Sequence, residues 1–226
     1  MAFVVDRDGR VAWIGHPHDL DSVLREVAAG TWDRDASLAD RRLNKRLTAM
    51  DTEASFELGG YLITHDTVRE PRQSDSILAM VHAMLLKEPR LKYGRSISAF
   101  TFRALLQTDP AAAYTYGKGM LAAATYTAPL EMSIYDNIRL FSDSLRLSAE
   151  LYRLGIEAYQ KAIESYPETT DVIDSYDHMA AWYWRIHDKN GAIACEQKAI
   201  VTLKNGGNSR LTFAGLEGRL QHYQSD

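Results

Sequence analysis

The chain has 226 residues, 46% hydrophobic and 25% charged, a composition that suits a folded globular protein with one large core or two small ones and excludes a disordered tail. Its 26 basic and 30 acidic residues leave a formal net charge of −4. Without a basic stripe or a long Lys/Arg run, this balance argues against nucleic acid or an anionic membrane as the main partner.

The longest basic cluster, Arg41, Arg42, Lys45 and Arg46, reads as a solvated helix face. No apolar run approaches the ~20 residues needed to cross a bilayer. Asp6, Arg7 and Asp8 interrupt the start of the chain before a signal peptide can form, so the sequence as written predicts a cytoplasmic protein. A single cysteine, Cys195, excludes an internal disulfide, a dithiol redox motif and a cysteine-based zinc site.

In chain order, Ala2–Val5 and Val11–Ile14 are short β-branched runs joined by Arg7-Asp8-Gly9-Arg10, whose Asp-Gly step signals a hairpin turn. After Gly15-His16-Pro17-His18, Asp19 or Asp21 caps a helix through Val23, Leu24 and Val27, ended by Gly30. Helical spacing then runs from Asp35 to about Thr67 through Leu38, Leu43, Leu47, Met50 and Ala54, with a break or kink expected at Gly59-Gly60. Val68 to Gln73 reads as a linker.

Ser74 to Lys87 carries Ile77, Leu78, Val81, Met84 and Leu85 on one side and stops before Pro89. A helix from about Leu91 to Gln107 follows. Asp109 and Pro110 then supply a cap and a first-turn proline for a helix through Ala113, Tyr114, Gly117 and Leu121. Further helices are expected near 130–141, 144–165, 171–186, 189–204 and 208–224, joined by short turns that favour packed antiparallel pairs. The expected fold is mainly α, built of helical hairpins, with a small N-terminal β-hairpin and helix. Its regions are 1–33 and 34–226.

Between Ile173 and Gly206, Tyr176, Met179, Ala180 and Tyr183 fall on one helix and Ala192 and Ala199 on the next. Small residues at a helix crossing, flanked by large ones, let two helices approach closely. This segment resembles a tetratricopeptide repeat in register. Leu151 to Gly155 and Ala158 to Ile163, closed by Tyr166-Pro167, look like the second helix of a preceding unit. The other reading is a plain helical bundle.

The resemblance implies a solenoid with a concave face on which Asp177, Ala181, Trp184 and Arg185 are groove-facing. Trp184 and Arg185 are typical anchors of a binding face; alternatively, Trp182 and Trp184 cover neighbouring helices. Asp177 and Ala181 stand where some members of the family clamp a C-terminal carboxylate, and the acid would repel such a ligand.

The segment Ala2 to Pro17, with Leu20 to Gly30 after it and Gly30-Thr31-Trp32-Asp33 as its exit, resembles the last two strands and final helix of redoxin-type thioredoxin-like oxidoreductases. Leu105 to Gly117 and the repeat region look similar to a helical extension in some members. That family's chemistry uses a Cys-x-x-Cys pair and a cis-proline, which the resemblance would place upstream of Met1. No catalytic residue carries over.

Cys195 lies three residues after Ala192 and four before Ala199, the face of a small buried core residue. His16 and His18, flanking Pro17, are too few for a metal site and read as an exposed turn. His178 and His187 read as structural or exposed. Asp174 with Asp177, and Glu164 with Glu168, read as solvated helix faces. No phosphate-binding loop, nucleophile elbow or His-Glu-x-x-His motif occurs.

The expected function is therefore a non-enzymatic interaction or scaffold protein with a protein or peptide partner and no cofactor. The alternatives are a fragment of an exported thiol-disulfide oxidoreductase, periplasmic if a signal peptide and domain half lie upstream, and a purely structural module. The apolar hairpin edge at Phe3, Val4 and Val5 is expected to dock on the helix from Asp35 or to pair with a second copy as a homodimer.

Overall fold

The computed structural model describes residues 2–15, 20–64, 72–123, 130–168 and 170–225. The protein is mainly α with a small N-terminal β-hairpin: among the described residues, ten α-helices accompany one two-stranded antiparallel sheet. The chain forms two compact units, Met1–Ala49 and Met50–Asp226.

The first unit contains β1 (Ala2–Val5), β2 (Val11–Gly15), α1 (Leu20–Ala29) and the start of α2 (Arg34–Thr64). The strands pair Ala2 with Gly15, Phe3 with Ile14 and Val4 with Trp13, and the register slips between Val4 and Val5. Asp6 builds the turn, its Oδ1 accepting from the amides of Asp8 and Arg10, while Gly9 takes the positive φ of 75°. One face of the hairpin packs on α1, burying Val4, Ala12 and Val23. Arg7 Nη2 donates to Ala28 O at 2.8 Å, and Trp32 Nε1 to Ala12 O at 3.2 Å.

The second unit holds the end of α2, then α3 (Arg72–Lys87), a 3-10 turn (Pro89–Tyr93), α4 (Arg95–Thr108), α5 (Pro110–Ala122), α6 (Glu131–Phe141), α7 (Ala149–Ser165), α8 (Val172–Arg185), α9 (Lys189–Lys204) and α10 (Phe213–Ser225). Local chemistry sets these boundaries. Asp109, Asp171 and Asp188 cap α5, α8 and α9, each accepting from the amide three residues on. Between α8 and α9, His187 adopts a left-handed φ of 63° and donates its amide to Trp184 O, which reverses the chain in a few residues.

Four boundaries differ from expectation. Helix α2 continues through Gly59 and Gly60, because buried Ala54 and Leu58 anchor that stretch and neither glycine meets a steric demand to bend. Helix α4 starts at Arg95 instead of Leu91, since Pro89 begins a 3-10 turn in which Glu88 accepts from Arg90 N and Gly94 closes. Helix α7 starts at Ala149, where Ser148 Oγ accepts from Leu151 N, and not near 144. Helix α10 starts at Phe213, after Thr212, whose Oγ1 accepts from Gly215 N, and not near 208.

The main core is built from α4 to α9, with Phe102, Ile134, Ile138, Phe141, Leu151, Leu154, Met179 and Trp182 buried. Ala180, Ala192 and Ala199 are buried along the α8–α9 pair, where small side chains allow close approach. Gly155 serves the α7–α8 crossing: a Cβ there would lie 2.5 Å from Cζ3 of Trp182 and 3.1 Å from Cδ1 of Ile138. A second cluster, Ile173, Ala199, Ile200 and Leu216, seats α10.

Candidate functional site

Side chains from α6, α8 and α10 form a row of charges joined across the helices. On α6, Asp136 and Arg139 are one turn apart and pair at 3.1 Å. Arg139 Nη1 reaches Asp174 Oδ2 of α8 at 3.7 Å, and His178 Nε2 lies 3.3 Å from the same oxygen. The His178 hydrogen bond holds the Asp174 carboxyl below its ordinary value, whereas burial pushes Asp136 up. Arg219 of α10 then pairs with Asp177 of α8, Nε to Oδ1 at 2.5 Å.

Beneath this row runs an aromatic stack. The rings of Tyr135 and Tyr159 are 4.0 Å apart and within 12° of parallel, and the His178 ring lies 6.1 Å from that of Tyr159, again at 12°. Tyr159 is 2% exposed, and its hydroxyl makes no hydrogen bond among the described residues. Burial pushes its pKa well above the ordinary phenol range.

Glu196 of α9 lies beside Arg219. It is 0% exposed, with Oε1 3.4 Å from Arg219 Nε, and neither oxygen makes a hydrogen bond among the described residues. Burial first, and the neighbouring Asp177 second, push its carboxyl up to about 7. Asp177 is itself raised by burial. Arg219 thus serves two carboxylates, and its Nη2 has no hydrogen-bond partner among the described residues.

The four residues singled out in the sequence do not converge on one patch. Asp177 and Trp184 face α10, where the Trp184 ring lies 5.2 Å from both His222 and Tyr223. Arg185 turns toward the α6–α7 connection: Nη1 donates to Ser142 O at 3.0 Å, Nη2 to Asp143 Oδ1, and the guanidinium sits 5.9 Å from the Tyr152 ring centre. Ala181 is half-buried between them in sequence.

Asp174 and Asp177, expected on a solvated face, are instead engaged in pairing across helices. Glu196, Arg139 and Arg219 were not apparent from motifs. Glu196 did carry a readable signal: four residues after Ala192 and three before Ala199, it puts a charge on the face of the small contact residues.

Cys195 is buried, and desolvation pushes its thiol up to about 11. His16 and His18 lie outside the described residues. Among the described residues, no group of three or more His, Cys, Asp or Glu could hold a metal ion, and no helix is long and apolar enough to cross a membrane. No family model matches the chain, nor does any curated protein or solved structure.

Proposed function

We propose that this is a non-enzymatic protein-interaction protein that holds a polypeptide segment along the face made by α6, α8 and α10. The observation that carries this reading is the row of charged side chains crossing three helices, from Asp136 and Arg139 through Asp174, His178 and Asp177 to Arg219. Donors and acceptors held in place on rigid helices suit the backbone and side chains of an extended chain.

Charge indicates the partner. Three acids, Asp136, Asp174 and Asp177, stand against Arg139 and Arg219 in this row, with His178 beside Asp174, so a segment bearing lysine or arginine complements it. The tetratricopeptide-like reading of α8 and α9 gives the same assignment, with α6, α8 and α10 as the groove-lining helices. The N-terminal hairpin and α1 then act as a redox-inactive thioredoxin-like remnant.

An array of short peptides graded from acidic to basic tests the proposal. Retention should rise with basic content and fall for the Asp136→Asn/Asp174→Asn variant. Equal retention by the variant, or retention of no peptide, would remove the support for this face.

A further inference from the structure

A second site, which borders this face at Asp136, is a polar cleft of about 370 Å³ between α4 and α6, lined also by Ser55 of α2. Two matching helix stripes make its walls. On α4, Arg95, Ala99 and Arg103 succeed one another at four-residue spacing, with Ser96 and Phe100 beside them. On α6, Met132 and Ser133 recur one turn later as Asp136 and Asn137.

The donor set is one-sided. Two guanidiniums and the hydroxyls of Ser55, Ser96 and Ser133 line the cleft. Arg95 is exposed and makes no hydrogen bond or ion pair among the described residues, while Arg103 lies over the Phe141 ring at 5.8 Å. Asp136 is the acid in the cleft. Arg139 pairs with it at 3.1 Å, so it opposes an anion less than an unpaired aspartate would.

The backbone donors at the start of α4 are already taken, since Asp51 accepts from the amides of Ser96 and Ile97 at 3.0 to 3.1 Å. Recognition therefore falls to the side chains. Phe100, Ala99 and Met132 add an apolar wall. A volume in the range of about 300–1,000 Å³ is that of a small-molecule site.

We propose that this cleft binds a small organic anion, its phosphate or carboxylate group between Arg95 and Arg103 and its apolar body against Phe100 and Met132. Planar guanidiniums pair with such groups through two parallel N–H donors, and serine hydroxyls complete the shell of a multi-oxygen anion. Asp136 is shared with the peptide face, but Arg95 and Arg103 belong to the cleft alone, so their substitution tests this site separately.

Calorimetric titration with phenyl phosphate, benzoate, inorganic phosphate and benzylamine tests it. Saturable binding of phenyl phosphate or benzoate is expected, tighter than inorganic phosphate and weakened at least ~10-fold in Arg95→Gln, the loss of one charge-assisted pair. Preference between the two aromatic anions assigns the phosphate or the carboxylate class.

Arg95 is exposed, so its substitution leaves the core intact. Arg103→Gln, checked by thermal unfolding for an intact fold, should show the same loss. No saturable binding of either aromatic anion, unchanged affinity in Arg95→Gln, equal affinity for inorganic phosphate, or equal binding of benzylamine would overturn the proposal.

Discussion

The carboxylate of Glu196 on α9 lies wholly inside the protein, 3.4 Å from Nε of Arg219 on α10. Arg219 is also paired with Asp177 at 2.5 Å, so one guanidinium answers two buried or half-buried acids. With both acids ionised, the cluster carries an uncompensated negative charge in a poorly solvated place. Protonating Glu196 relieves it.

That relationship predicts a pH dependence of definite sign. The Glu196 carboxyl is raised in the folded chain from its ordinary 4.5 to about 7, so the folded state holds a proton that the unfolded chain has lost. The resulting stability is full below the ordinary value and disappears as pH rises through about 7. Asp177, raised as well, contributes with the same sign. Thermal unfolding followed across this window should show a falling Tm. Glu196→Gln should flatten the fall and exceed the native chain at about pH 8 by on the order of 1–2 kcal/mol.

Trp184 is treated by the fold as packing for α10, with its ring 5.2 Å from His222 and from Tyr223. Trp184→Ala should loosen that helix by roughly 2–4 kcal/mol, the usual cost of removing a large packed side chain. Amide hydrogen exchange is the check: protection across α10 should drop while that of α4 to α7 stays. Unchanged protection in α10 would mean the indole contributes nothing to seating it.

Cys195 is buried and its thiol is pushed up to about 11, so almost none of it is thiolate at neutral pH. A disulfide reagent should label it at least ~100-fold more slowly in the folded chain than in urea. Rapid labelling of the native protein would reopen a redox role for this residue.

The outer edge of β1 meets no further strand among the described residues, and Phe3 is 68% exposed there. A homodimer formed by pairing this edge should appear in sedimentation as concentration-dependent association, abolished by Phe3→Lys. A monomer at every concentration would exclude that assembly.

Much of the fold was legible because its signals are local. Asp109 with Pro110 announces α5, and the helices expected near 171–186 and 189–204 are observed as α8 and α9. Two misplaced boundaries have different causes: burial of Leu58 and Ala54, a tertiary effect, carries α2 past two glycines, whereas a local motif, Glu88 with Pro89, diverts the chain into a 3-10 turn before α4.

The site was less legible. Spacing on α8 groups Asp177, Ala181, Trp184 and Arg185, but the neighbours of α8 separate them: Arg219 and Tyr223 draw two toward α10, and Ser142 draws Arg185 the other way. The meeting of Glu196 with Arg219, or of Arg139 with Asp174, depends on which helices lie side by side. Periodicity within one helix does not contain that information.

Whether α6, α8 and α10 hold a basic polypeptide segment is decided by fluorescence anisotropy of a labelled lysine-rich peptide. Saturable binding is expected, weakened by salt and by up to ~5-fold in Asp174→Asn, the range of one partly exposed charge pair. Arg7→Gln, in the other unit, should leave it unchanged. Absence of saturation, or identical titrations for the native chain and Asp174→Asn, would contradict the claim.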